Sequence, residues 1–215
     1  MSPVVWQAAS LLLDYPDAAL YERRPLLREA VAGLARHKTH KAHKARKAHK
    51  APRAHQAAER LGAFLDHMDA TPPSALAEHY VETFDLRRRC CLHLTYYRDG
   101  DTRRRGSSLV ALKERYRAAG AEFAGGGELP DYLPVVLEFA ALHGGGDLLA
   151  EHRAGIELLR LALLDRGSPY AAPVEAVCAT LPGASPRDRA EALRLARTGP
   201  PAETVGLEPY PETVR

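Results

Sequence analysis

An all-α fold, a single-domain helical bundle, is predicted for this chain by three observations. Isoleucine occurs once while alanine, leucine, arginine and glutamate dominate, so helix formers far outnumber the β-branched residues that strands favour. Apolar residues recur every three or four positions in one segment after another. Between those segments stand Ser-Pro pairs, Pro-Pro and glycine triplets, which stop one helix and start the next. At 215 residues one domain buries a substantial core.

Ser2-Pro3 opens the first helix, with serine as N-cap and Val5, Ala8, Ala9, Leu12 and Leu13 on one face. Asp14-Tyr15-Pro16 breaks it. Asp17 caps a second helix through Leu20, Leu27, Val31 and Leu34 to about Arg36, antiparallel to the first, with Pro25 marking a kink or short break. A third helix runs from Gln56 to Met68 and ends before Thr71-Pro72-Pro73. Ser74 caps a fourth, which passes Leu76, Tyr80 and Phe84.

The next segment, Tyr80 to Gly106, is the densest in the chain. Its two triplets, Arg87-Arg88-Arg89 and Arg103-Arg104-Arg105, each follow an aspartate, Asp85 or Asp101, in position to cap a helix. Cations in a first helical turn meet partial positive charge, so they need a compensating anion. Either nearby carboxylates and water satisfy the arginines, or the guanidinium forks converge on a phosphate or carboxylate from outside. Between the triplets, Cys90, Leu94 and Tyr97 fit one helical face, Cys90 and Cys91 read as small core residues, and Tyr96 and Tyr97 pack or line a groove. His79 and His93 read as satisfied, half-buried histidines and not as metal ligands.

Asp101 or Thr102 opens a helix through Leu109, Leu112 and Tyr116 to Gly120, and Gly125-Gly126-Gly127 is a flexible joint. In Glu128-Leu129-Pro130-Asp131-Tyr132-Leu133-Pro134, Asp131 is the expected N-cap of an apolar helix through Val136, Leu137, Phe139 and Leu142. Asp147 starts another through Leu149, Ile156, Leu159 and Leu163. It is apolar on nearly all sides and is the expected central, buried helix. Ser168-Pro169 and Ser185-Pro186 open the last two, which reach Leu181 and about Arg197. The helical domain thus spans 1–197, and 198–215, with four prolines and two glycines, is an extended tail.

One stretch breaks this pattern. Residues 37–55 hold five lysines and two arginines, no acid and no apolar stripe, in a degenerate three-residue repeat that spirals around a helix without forming a face. It reads as a basic, disordered insertion. Its charge of +7 against a total of +3 leaves the rest of the chain at −4, so the basic balance gives no argument for a nucleic-acid surface.

Much chemistry is missing. The sequence has no HExxH, GxSxG, GxxxxGK[ST] or Glu-x-x-His pattern, which removes zinc proteases, serine hydrolases of that type, P-loop enzymes and helical di-iron sites. Three cysteines make neither a disulfide framework nor a CxxC site, no segment is apolar enough to span a bilayer, and the N-terminus carries no secretory pattern. A cytoplasmic protein is expected, without membrane insertion, catalytic residues, bound metal or cofactor of its own.

The ordered set LLLDYP, HYVETFDLRRRCCLHLTYYRDGDTRRRG, ELPDYLPVVLEFAAL and PPAETVGLEPY resembles the nitrate reductase molybdenum cofactor assembly chaperones, the delta-subunit or NarJ-type branch of the TorD-like redox-enzyme chaperones. The likeness runs over nearly the whole chain, with the lysine–histidine repeat outside it. Where the wider family often writes Pro-Asp-His, Tyr132 holds the histidine's place, so functions tied to that histidine are not carried over.

The resemblance implies a protein that binds the apo catalytic (alpha) subunit of a nitrate reductase, including its N-terminal segment, and assists molybdenum cofactor insertion. Transient contact with that cofactor or its delivery proteins is implied as well. On this reading an amphipathic client segment settles in an apolar groove, with Glu128, Asp131, Tyr132, Leu133, Tyr96 and Tyr97 as the expected partner-binding residues. The arginines 87–89 and 103–105 are then the anion- or cofactor-proximal set. Two other classes remain open: a helical nucleic-acid binder using the arginine triplets and lysine repeat, and an enzyme acting on an anionic cofactor. Binding that falls steeply with salt marks the first, and cofactor-dependent turnover the second.

Overall fold

Apolar stripes at helical spacing drive the assembly, and they meet in a single core. The computed structural model describes residues 2–36, 53–123 and 127–197. Eleven α-helices are found among them: α1 (Ser2–Leu12), α2 (Ala18–Arg36), α3 (Arg53–Ala70), α4 (Pro73–Tyr80), α5 (Leu94–Asp99), α6 (Arg103–Ala118), α7 (Leu133–His143), α8 (Gly146–Glu151), α9 (Arg153–Asp165), α10 (Ala171–Thr180) and α11 (Arg189–Arg197). Extended pairing among the described residues is limited to one antiparallel bridge, His93 with Tyr132.

The centre of the bundle is α1, which packs on α2, α3, α7 and α10. It suits that place because Val5, Ala8, Ala9, Leu12 and Leu13 are buried, and alanines let neighbouring backbones approach closely. Across from it, α3 buries Leu61, Phe64, Leu65 and Met68 against α2 and α10. Each fully buried side chain of this size contributes about 2 kcal/mol of apolar transfer.

Asp17 caps α2 as expected, accepting the Leu20 amide at 2.9 Å, and the helix continues through Pro25. Other boundaries differ from the sequence reading. The insertion was placed at 37–55, but α3 already begins at Arg53, and residues 37–52 lie outside the described set, as do 198–215. Ser74 falls inside the first turn of α4, whose cap position is Pro72, because Pro73 at the first helical position is preset for the helix. Asp188, not Ser185, caps α11, accepting the Glu191 amide at 2.8 Å.

The expected central helix is two helices. A break at His152 separates α8 from α9, and the buried side of α9 includes Arg153, Glu157 and Arg160 along with its leucines. Arg160 Nε donates to Glu157 Oε2 at 2.6 Å, and the two arginines bond the carbonyls of Pro182, Ala184 and Pro186. These charges clamp the 182–186 loop to α9, which periodicity alone does not show.

Nor is Cys90 to Tyr97 one helical face. Asp85 ends a π-turn (Val81–Asp85) that continues α4 and caps nothing; Arg87 is extended, and Arg88–Cys90 form a 3-10 turn. The chain then runs extended through Leu92 and His93 before α5 begins. Hydrogen bonds from Leu94 N to Asp131 O (2.9 Å) and from Leu133 N to Leu92 O (2.8 Å) zip this stretch to the segment before α7.

Candidate functional site: a carboxylate hub, two joined clefts and an arginine turn

Asp131 lies where that zipper forms, and its side chain is 0% exposed. The expectation that it caps α7 is wrong: the cap position is Tyr132, and the Asp131 carboxylate points the other way. It accepts the Thr95 amide at 3.2 Å and the Thr95 hydroxyl, so it caps α5 from across the structure. His93 Nδ1 stands 3.2 Å from its other oxygen, and Arg105 Nη2 is 3.6 Å away. Burial pushes this carboxyl up, but the hydrogen bonds from His93 and Thr95 and the nearby charges outweigh burial and hold it below the ordinary range. Arg105 is thereby answered: one cation in the first turn of α6 faces a buried anion.

Beside the hub are two clefts. The larger, about 470 Å³, lies between the end of α6, the loop after it and the outer face of α7. Tyr116, Phe123, Phe139 and Leu142 form its apolar walls, and Glu122, Glu128 and Glu138 stand around it. Tyr116 packs on Phe139 with ring centroids 4.5 Å apart and donates its hydroxyl to Pro130 O at 2.6 Å, so the groove floor is fixed to the 128–132 segment. Leu142 is 66% exposed, an apolar side chain left open among the described residues.

The smaller cleft, about 260 Å³, is lined by the rings of Tyr15, Tyr80, Phe84 and Tyr132 and by Asp14, Asp85 and Glu128. A hydrogen-bond chain builds its back wall: Tyr80 and Tyr132 hydroxyls meet at 2.7 Å, and Tyr132 donates to Asp14 Oδ1 at 3.1 Å. Burial pushes both phenols well above their ordinary value, so they remain neutral donors. Glu128 lines both clefts. Together the two present five carboxylates beside apolar and aromatic surface.

The arginine turn lies elsewhere. Arg87, Arg88 and Arg89 are exposed and line a third cleft with Arg166 from the end of α9. Tyr97 belongs to this region: its hydroxyl donates to Arg89 O at 3.1 Å and to Cys91 O at 2.9 Å. Tyr96 packs edge-on against Tyr97, 5.9 Å between centroids. Cys90 is fully buried and Cys91 partly so, and burial pushes both thiols up, which makes them poor nucleophiles.

Of the expected partner-binding residues, then, Glu128 and Tyr132 face the joined clefts, Asp131 and Leu133 are buried beneath them, and Tyr96 and Tyr97 stand with the arginine turn. Arg103 and Arg104 are exposed at the start of α6, apart from Arg105 in the hub. Sequence reasoning missed Leu142, Phe123 and Arg166. For Leu142 a signal existed, since α7 is apolar on more sides than one buried face needs.

A model of the nitrate reductase delta subunit family matches residues 47–176. The chain belongs to that family. It is 38% identical over 180 residues to the nitrate reductase-like protein NarX of Mycobacterium tuberculosis (strain H37Rv), covering 82% of this chain but 24% of that relative. It therefore spans about a quarter of the length of the NarX relatives it matches. To the provisionally named nitrate reductase molybdenum cofactor assembly chaperone NarJ of Bacillus subtilis it is 28% identical over 191 residues, covering 87% of this chain and 94% of the relative. Identity to the NarJ assembly chaperone of Escherichia coli (strain K12) is 33% over 132 residues, 61% of this chain and 49% of that one. A solved structure from Archaeoglobus fulgidus, provisionally described as a redox enzyme maturation protein, superposes with a TM-score of 0.57 at 18% identity, covering 82% of this chain and 91% of its own. The fold is thus the all-helical fold of such maturation proteins.

Among the described residues, no group of three histidine, cysteine, aspartate or glutamate side chains is placed to hold a metal ion. No helix among them is long and apolar enough to cross a membrane.

Proposed function

We propose that this protein is an assembly chaperone for the catalytic subunit of a nitrate reductase, binding the apo subunit through its N-terminal segment and assisting molybdenum cofactor insertion. The observation that carries this reading is the pair of clefts joined at Glu128. An apolar groove with an uncovered Leu142, framed by Glu122, Glu128 and Glu138, is complementary to a basic amphipathic segment laid down as a helix. Asp14 and Asp85 in the aromatic cleft extend the same field to a cationic end of that segment. The relatives named as nitrate reductase cofactor assembly chaperones support the client's identity.

Calorimetry with a synthetic N-terminal segment of the client tests the reading. Leu142→Glu removes exposed apolar surface and leaves the core alone, so the variant melts like the parent and binds about tenfold more weakly. Glu128→Lys weakens binding through both clefts and slows association. If both variants bind like the parent, the segment is held elsewhere.

A further inference from the structure

We propose that the cleft between the arginine turn and the end of α9 binds a phosphorylated small molecule through its phosphate or diphosphate group. Four guanidiniums, from Arg87, Arg88, Arg89 and Arg166, line a cleft of about 330 Å³ that contains one acid, Asp165. Arg88 pairs with Asp101 at 3.9 Å with its side chain 85% exposed, too loose a contact to neutralise it. Among the described residues no carboxylate lies within ion-pair distance of Arg87, Arg89 or Arg166. Some other surface arginines are paired, Arg24 and Arg28 with Asp69 and Arg115 with Asp147 and Glu151, whereas the exposed Arg103 and Arg104 line no such cleft.

The ordinary explanation for cations at this place is the negative end of a helix, whose last carbonyls lack partners. At α9 that explanation is weakened. Gly167, with φ of +64°, turns the chain so that its amide reaches Leu164 O at 2.9 Å and the Ser168 amide reaches Leu163 O at 3.0 Å. That backbone closure satisfies the carbonyls of Leu163 and Leu164 without any side chain.

The turn that presents the arginines is also held in place. Cys90 anchors it in the core, its amide bonds Arg87 O at 2.9 Å, and the Tyr97 hydroxyl holds the carbonyls of Arg89 and Cys91. Tyr97 fits there because position 155 is glycine: a Cβ at that point would sit 3.0 Å from the Tyr97 Cβ. A fixed turn spares the cost of ordering the backbone when these side chains grip an oxyanion, so that only side-chain rotamer freedom is lost, and each guanidinium offers a planar fork of donors. The volume is at the small end of ligand sites, about 300–1,000 Å³, and suits a phosphate with part of its scaffold.

Titration calorimetry at low salt with inorganic phosphate, with pyrophosphate and with phosphatidylglycerol vesicles tests the site. Pyrophosphate is expected to bind more tightly than phosphate and to compete with any vesicle binding. The Arg87→Gln/Arg89→Gln/Arg166→Gln variant is expected to lose at least about tenfold in pyrophosphate affinity. An Arg103→Gln/Arg104→Gln variant is expected to change it less than about twofold. Equal binding by the triple variant overturns the proposal; so does equal loss in both variants, which means diffuse surface charge, or vesicle binding that pyrophosphate does not displace. Should the triple variant melt early, Arg89→Gln alone, with its exposed side chain, carries the same comparison, expected at about threefold or more and overturned by none. Client-segment binding by these variants stays at the parent level, so failure here and failure of the chaperone reading are separately visible.

Discussion

The Asp131 hub and the arginine cleft are built from neighbouring stretches of chain and handle charge in opposite ways. At the hub one carboxylate with no exposed surface collects a backbone amide, a hydroxyl, an imidazole and a guanidinium, and so ties α5, α6 and the entry to α7 together. In the cleft, four exposed arginines line one pocket whose single acid is Asp165. A buried charge with several partners is part of the fold, and removing it strands those partners. An exposed, unanswered cluster weakens the fold slightly through repulsion and is available to a ligand.

The contrast is sharpened first by Glu157, a second buried carboxylate. It lies between Arg153 and Arg160, both nearly buried, and they in turn hold the 182–186 loop. Glu157→Gln leaves two guanidiniums facing each other without a counter-charge, with an expected loss of about 3–5 kcal/mol in urea unfolding. A loss below about 1 kcal/mol would break the rule that burial with partners marks a structural charge.

His152 gives the next effect. Burial pushes its imidazole from an ordinary 6.5 down to about 4. Between those values the unfolded chain holds a proton that the folded chain refuses, so stability falls as pH falls from about 6.5 to about 4 and this contribution levels off below. The full drop is about 3 kcal/mol. His152→Gln should flatten this part of a melting-temperature profile. An unchanged slope would assign the acid sensitivity to other groups.

Much of the fold was legible in the sequence, and the reasons are local. Stripes such as Leu61, Phe64, Leu65 and Met68 follow the helical period, and Asp17 caps its helix through three residues of chain. What was not legible depends on distant partners. Asp131 has the look of an N-cap, and is one, but for α5, thirty-six residues back along the chain. The burial of the charges inside α9 escapes a reading based on leucine spacing, because Arg153 and Arg160 are satisfied not by Glu157 alone but also by the carbonyls of Pro182, Ala184 and Pro186, 26 to 31 residues further on. The arginine triplets look alike in sequence, yet Arg105 meets a buried anion and Arg89 meets none, a difference set by the fold and by Arg166, seventy-seven residues further on.

Asp131→Ala, measured by urea unfolding and by client-segment calorimetry on the same preparation, tests the central claim most directly. The hub account gives a loss of about 3 kcal/mol in stability, since the Thr95 amide is orphaned and two cations lose their anion. It also gives an unchanged affinity per folded molecule, because the carboxylate presents no surface to a partner. Parent-like stability with weakened segment binding would contradict it and return Asp131 to the recognition surface.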